Sequence, residues 1–289
     1  MKADVASVRR APGLWVERNV TCDDTAVSFL HRRGTSAPVV FLHGFADAAD
    51  CYQGLVARLP DSWDIFLLES AAHGRSGIPA DGAHEVSRRR LAIHFLEQVT
   101  GAAYLVGHSM GAATALAVSA ARPDLVRGLV LEDPPWFAGE IHISDAPATM
   151  VDLEDRLIQW ILALQQQPLE QVEAERRQMC PHWDDIEYAH WASAKHLVKR
   201  EALHYEYQRI PDSILDQWGA LACSTLLLTG APERSGIVTA EIAELFAQTA
   251  VSAQVSHHPA AGHDVRRDDP AAVSKAIIEF LSASGIEQR

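Results

Sequence analysis

The sequence predicts an α/β fold: a mostly parallel sheet with helices on both faces and a helical segment inserted late in the chain. Three observations predict it. Short, strongly apolar runs recur along the chain, and helical stretches separate most of them. One run, Ala103-Tyr104-Leu105-Val106, passes through Gly107-His108-Ser109-Met110-Gly111 straight into an alanine-rich helix. Runs of this length suit strands buried on both faces, and regular β-α alternation is the pattern of a parallel sheet.

The elements follow in order. Residues 14–22 and 25–32 alternate apolar and polar around Asp23-Asp24, which predicts an opening β-hairpin and an antiparallel start. Strands are expected at Val39-Val40-Phe41-Leu42, Ile65-Phe66-Leu67-Leu68, Tyr104-Leu105-Val106, Leu129-Val130-Leu131 and Leu226-Leu227-Leu228, with a last one from Ser252 to His257. Helices are expected near 50–58, 84–99, 109–121, 239–249 and 270–283.

The alternation breaks between Pro134 and Pro211, where composition shifts to Gln, Glu, Trp and His. Leu153, Leu157, Trp160, Ile161 and Leu164 recur at helical spacing, as do Trp191, Ala194 and Leu197, so this stretch is expected to be helical. The expected organisation is thus a core in two parts, 1–133 and 212–289, with a helical cap at 134–211. Four of the seven tryptophans fall in the cap. Trp136, Phe137, Trp160, Trp183, Tyr188 and Trp191 either line an apolar pocket or form the cap's own core.

Composition sets limits on function. With 289 residues, 48% hydrophobic and 22% charged, the chain can bury a sizeable core. A formal net charge of -13 opposes attraction to nucleic acid or an anionic membrane surface. Arg88-Arg89-Arg90 reads as the solvated face of a helix. Cys22, Cys51, Cys180 and Cys223 lack C-x-x-C spacing and are expected as reduced thiols. His182, His190 and His196 share no compact ligand pattern, and His257-His258 follows a strand, so neither a metal nor another cofactor is expected. With no apolar leader or 18-residue apolar span, a cytoplasmic location is the expectation. Exposed cap helices offer a surface for a homodimer.

The junction at 107–111 carries the chemistry. A strand that turns abruptly into a helix holds its central residue strained and exposed, and Gly107 and Gly111 remove side chains that would clash. Ala112, Ala113, Ala115 and Ala117 let the helix lie close to the sheet. Ser109 would then present its hydroxyl at a helix N-terminus, where the Met110 N–H can bind a developing oxyanion. Acyl transfer also needs a base, a group to orient it and a second oxyanion donor. His263, in Ala261-Gly262-His263-Asp264 after the last strand, supplies the base. His43-Gly44-Phe45 follows the strand ending at Leu42. Gly44 permits the tight turn, Phe45 N–H is the second donor, and His43 orders the loop by hydrogen bonding.

With His43-Gly44-Phe45, the HGRSG segment at 73–77, the elbow at 107–111 and Gly262-His263 in this order, the chain resembles the α/β-hydrolase fold superfamily over nearly its whole length. The resemblance implies an eight-stranded, mostly parallel sheet, a site at the carboxyl ends of the strands, and a cap inserted where 134–211 lies. Two carboxylates compete to orient His263. Glu233 stands where the superfamily more usually has its acid, whereas Asp133 matches members such as zearalenone-type lactonases, and Asp133 is preferred. Glu132 is expected to be a surface or strand-capping carboxylate that alternation points away from Asp133.

A serine at the elbow sets the chain apart from haloalkane dehalogenases and epoxide hydrolases, which resemble one another in using aspartate there. The expected function is hydrolysis of a carboxylic ester or lactone of medium-sized, apolar or aromatic character. Alternatives are carbon-carbon hydrolysis of a vinylogous diketone, or a non-catalytic ligand-binding role. Cofactor-free haloperoxidases carry tryptophan beside the oxyanion hole, where this chain has Phe45.

Overall fold

A computed structural model of the chain describes residues 6–10, 15–136, 150–203 and 213–287. Nine strands form one sheet: β1 (Ala6–Arg10), β2 (Val16–Cys22), β3 (Thr25–Arg32), β4 (Pro38–Leu42), β5 (Asp64–Leu68), β6 (Ala103–His108), β7 (Val126–Glu132), β8 (Thr225–Gly230) and β9 (Ala253–His258). Their order is β1-β2-β3-β5-β4-β6-β7-β8-β9. The eight expected strands are β2 to β9, and β1 adds an antiparallel edge strand against β2. The hairpin β2–β3 closes through Asp23 and Asp24, at φ +51° and +61°, the left-handed pair that a two-residue hairpin turn demands. From β5 onward across the sheet every pairing is parallel.

Eleven α-helices accompany the strands among the described residues: α1 (Gln53–Val56), α2 (Glu85–Phe95), α3 (Met110–Ala121), α4 (Met150–Leu164), α5 (Leu169–Met179), α6 (Asp185–Leu197), α7 (Arg200–Leu203), α8 (Ile214–Gly219), α9 (Ala240–Thr249), α10 (Val265–Asp268) and α11 (Pro270–Ala283). None is long and apolar enough to cross a membrane. Helix starts follow capping chemistry: Thr239 accepts from Ile242 N–H, and Asp269 accepts from Ala272 N–H with Pro270 in the first helical position.

Strand alternation splits the core in two. Val40, Leu42, Leu105, Leu129, Leu131 and Leu227 face a cluster shared with α2, α3, α8 and α9. Their neighbours Val39, Phe41, Tyr104, Val106, Val130, Leu226 and Leu228 face the opposite cluster with Val273, Ile277 and Phe280 of α11. The central strands therefore need apolar residues at every position, which is why they read as unbroken runs.

Helices α4 to α7 lie between β7 and β8. Ile161 and Leu164 are buried, but Leu157 and Leu197, expected on the same apolar faces, are 37% exposed. Phe137 falls outside the described residues. The arginine run is also corrected: Arg88 is buried and donates to the Ala83 carbonyl, because α2 rolls it inward, while Arg90 pairs at the surface with Asp23 and Asp81.

Trp136, Trp218 and Phe246 pack against one another edge-on or tilted, with ring centroids 4.7–5.3 Å apart. Replacing the fully buried Phe246 by Ala is expected to destabilise the protein by about 3–5 kcal/mol, read as a lowered urea midpoint at unchanged slope.

Candidate active site

β6 and α3 meet at Ser109, whose φ of +51° and ψ of -118° are disfavoured for any L residue. Two backbone bonds hold that strain: Ser109 N–H donates to the Glu132 carbonyl at 2.9 Å, and the Ser109 carbonyl accepts from Ala113 N–H at 3.0 Å. Ser109 occupies the N-cap position, yet its hydroxyl makes no capping bond and is left for other chemistry. A Cβ at Gly107 would overlap the Gly111 carbonyl, and one at Gly111 would overlap that of Leu42, so neither site tolerates a side chain. A Cβ on Gly44 would lie 2.6 Å from His108 Nδ1 and 3.4 Å from Ser109 Cβ, so the loop after β4 passes directly beside the elbow. His43 is buried within that loop, its Nδ1 bonded to the Gly44 carbonyl and its Nε2 accepting from Ser70 N–H.

At the end of β7, Asp133 adopts φ +38° and is fully buried. Its Oδ2 lies 2.6 Å from His263 Nδ1 and accepts from Ile237 N–H at 2.9 Å, while Oδ1 accepts from Val238 N–H at 3.1 Å. Burial opposes protonation of His263, but the hydrogen bond and charge of Asp133 win and raise its pKa. The His263 carbonyl accepts from His108 Nε2 at 3.0 Å, which brings this loop against the elbow. Glu233, the alternative acid, lies exposed in the turn Pro232–Arg234. Glu132, expected as a surface or strand-capping carboxylate, is instead buried, accepting from Arg266 N–H at 2.8 Å and facing the Arg266 guanidinium.

Beneath this end of the sheet lies a buried charge cluster. Asp47 Oδ1 meets Lys195 Nζ at 3.0 Å, and its Oδ2 meets Arg266 at 2.8 Å and Arg267 at 3.1 Å. Arg267 also pairs with Glu187 and Asp264, and Asp264 with Arg176. Burial alone would raise the Asp47 carboxyl, yet Arg267, Lys195 and Arg266 hold it well below the ordinary range. Asp47, His108 and Asp264 bring donor atoms within 4.8 Å of one another, the spacing of a metal site. Both carboxylates already face guanidinium or ammonium groups, which take the place a metal ion would have. The sequence reading missed this cluster; the doublet Arg266-Arg267 between Asp264 and Asp268-Asp269 is the signal that could have found it, since opposite charges so close to an apolar helix invite internal pairing.

The aromatic residues fall into distinct settings. Trp183, Tyr188 and Trp191 pack with Leu164 and Val172 in a cluster of their own, apart from the two cores on the sheet. The Arg176 guanidinium lies 4.2 Å from the Trp183 ring centroid and 4.6 Å from that of Trp191. Trp160 is 40% exposed and leans on Trp191, since α4 turns it toward solvent. Trp136 belongs to the main core, where the chain leaves β7 and packs on α8 and α9.

A family model described as "Alpha/beta hydrolase family" matches residues 39–276. The chain is 23% identical over 278 residues to the (E)-2-((N-methylformamido)methylene)succinate hydrolase of Acinetobacter baylyi, covering 93% of this chain and 99% of that protein. It is 32% identical over 119 residues to an esterase of Mycobacterium tuberculosis, covering 40% of this chain and 39% of the relative. Over four of the curated relatives the match spans only 39–57% of the relative's length. Among solved structures, E-2-(acetamidomethylene)succinate hydrolase superposes with a TM-score of 0.76 at 21% identity, covering 93% of this chain and 99% of that one.

Asp47→Asn removes the negative charge that Lys195, Arg266 and Arg267 share. It is expected to destabilise the protein by about 3–5 kcal/mol in urea unfolding, and an unchanged midpoint would contradict the buried pairing.

Proposed function

This chain belongs to the alpha/beta hydrolase family, and on that premise we propose that it cleaves the carboxylic ester or lactone of a medium-sized, apolar or aromatic substrate through an acyl-enzyme on Ser109. The observation that carries the reading is the strained Ser109, its hydroxyl unused as a cap, beside the Gly44 loop, together with a histidine that is hydrogen-bonded to a buried aspartate and whose carbonyl is bonded to the neighbouring His108.

His263 Nε2 takes the hydroxyl proton as Ser109 Oγ bonds to the acyl carbon, and the carbonyl electron pair moves onto oxygen. Phe45 and Met110 N–H groups hold that oxyanion, each worth about 3 kcal/mol of barrier. Collapse expels the alkoxide, which leaves with the proton from His263. Water, deprotonated by His263, then releases the acid and restores Ser109. Asp133 keeps His263 in the Nδ1–H tautomer and stabilises its cation.

The relatives named for methylenesuccinate derivatives favour a second reading, in which the same groups act on an acyl group attached to nitrogen, or to carbon as in a vinylogous diketone. Against a dianionic substrate, Lys195, Arg176, Arg266 and Arg267 already have carboxylate partners within the protein.

Steady-state hydrolysis of p-nitrophenyl esters, aryl and macrocyclic lactones and a vinylogous diketone tests the proposal. Ser109→Ala is expected to remove nearly all turnover without unfolding the protein, and undiminished hydrolysis would sink the reading. Strong diketone turnover with weak ester turnover would select the second reading; specific binding without turnover would make the protein a ligand-binding member of the family.

The pH profile adds a separate prediction. His263 must be neutral to accept the proton, and its raised pKa places the acid limb of kcat/KM above the ordinary histidine value of about 6.5. Asp133→Asn removes the charge that raises it, so the limb moves to lower pH and kcat falls by roughly 10³–10⁴. Glu233→Gln leaves both unchanged.

A further inference from the structure

Ala46 directly follows the proposed oxyanion donor Phe45 and adopts φ +55°, a conformation in which its Cβ crowds the backbone. Both of its polar backbone groups are gripped by buried side chains from distant parts of the chain. On one side, Ala46 N–H donates to His73 Nε2 at 3.2 Å. On the other, Lys195 Nζ of α6 donates to the Ala46 carbonyl at 2.8 Å and to Asp47 Oδ1 at 3.0 Å. His73 and Lys195 are 1% and 4% exposed.

The grip on the N–H side requires a particular tautomer. His73 Nδ1 lies 2.8 Å from the Ala71 carbonyl, which can only accept, so Nδ1 carries the proton and Nε2 is free to accept from Ala46. Burial, together with His43 nearby, keeps His73 neutral, as that role needs. Its ring also supports Phe45 edge-on, with centroids 5.8 Å apart. The loop that carries His73 is itself tied to the insertion: Lys199 Nζ donates to the Gly74 and Ser76 carbonyls, and Lys199 N–H donates to that of Ala72. One stretch of the insertion, from Lys195 to Lys199, thus reaches both sides of the Ala46 clamp.

We propose, on the reading of Ser109 and Phe45 given above, that His73 and Lys195 are positioning residues: they hold Ala46 in its left-handed conformation from both ends and so fix the aim of the Phe45 N–H. Neither touches the substrate. The helical insertion is then part of the oxyanion machinery. This gives the HGRSG segment at 73–77 a use, since its histidine is the acceptor that the loop after β4 needs.

The test compares wild type, Lys195→Met and Lys195→Arg by kcat and KM on a p-nitrophenyl ester and by hydrogen-deuterium exchange of peptides covering residues 43–52, all well below each variant's melting temperature. Lys195→Met is expected to lose kcat by roughly ten- to hundredfold with little change in KM, to speed exchange in 43–52, and to be largely rescued by Lys195→Arg. Retained kcat with retained protection would overturn the proposal, as would a kcat loss with unchanged exchange in 43–52. If the wild type turns over no ester, the ester reading fails, and the exchange comparison alone decides the clamp. If Lys195→Met does not fold, the wild type decides: a nitrogen-nitrogen coupling across the hydrogen bond from Ala46 N–H to His73 Nε2 is expected by NMR, and its absence overturns the proposal.

Discussion

The buried carboxylate of Asp47 is the constraint on which the site depends. An ion removed from water costs several kcal/mol unless other charges and hydrogen bonds surround it, and Asp47 is surrounded by Lys195, Arg266 and Arg267. Those three cations come from α6 and from the segment just after His263. Satisfying one charge therefore fixes three segments relative to each other: the loop after β4, helix α6, and the loop that carries His263. Glu132, Glu187 and Asp264 complete the pairing, so that no cation in the cluster is left without a carboxylate.

With those segments fixed, the sheet can hold strain where its strands end. Ala46 follows β4, Ser109 follows β6 and Asp133 follows β7, and all three are non-glycine residues at positive φ. Each such residue costs on the order of 1–3 kcal/mol and persists only where its surroundings determine it. Their surroundings do so with named bonds: Ala46 through His73 and Lys195, Ser109 through Glu132 and Ala113, Asp133 through the Ile237 and Val238 amides. The strain projects a hydroxyl, aims an amide and turns a carboxylate toward His263, all at the carboxyl end of the parallel sheet, where open α/β sheets place their ligands.

Much of this was legible in the sequence because it rests on local pattern. Unbroken apolar runs marked the strands, and glycines at 107 and 111 marked close approaches that the backbone does make; Gly44, read as a turn residue, stands against the His108 side chain instead. The preferred acid stood at the end of its strand, where the next strand's loop supplies the amides that bind it. What local pattern does not carry is pairing across the fold. Nothing near Asp47 announces that its partners lie some 150 and 220 residues away, and nothing near Glu132 announces Arg266. Leu157 and Trp160 fit a helical stripe, but a stripe does not say which face the tertiary context buries. Arg88 reads as solvated until the Ala83 carbonyl beneath it is seen.

The most direct test of the account is pre-steady-state hydrolysis of a p-nitrophenyl ester with acid quench and mass analysis of the intact chain. The account predicts a burst of p-nitrophenol approaching one equivalent and an acyl adduct that maps to the peptide containing Ser109. Turnover with neither a burst nor an adduct under any quench time, or an adduct on another residue, would contradict it.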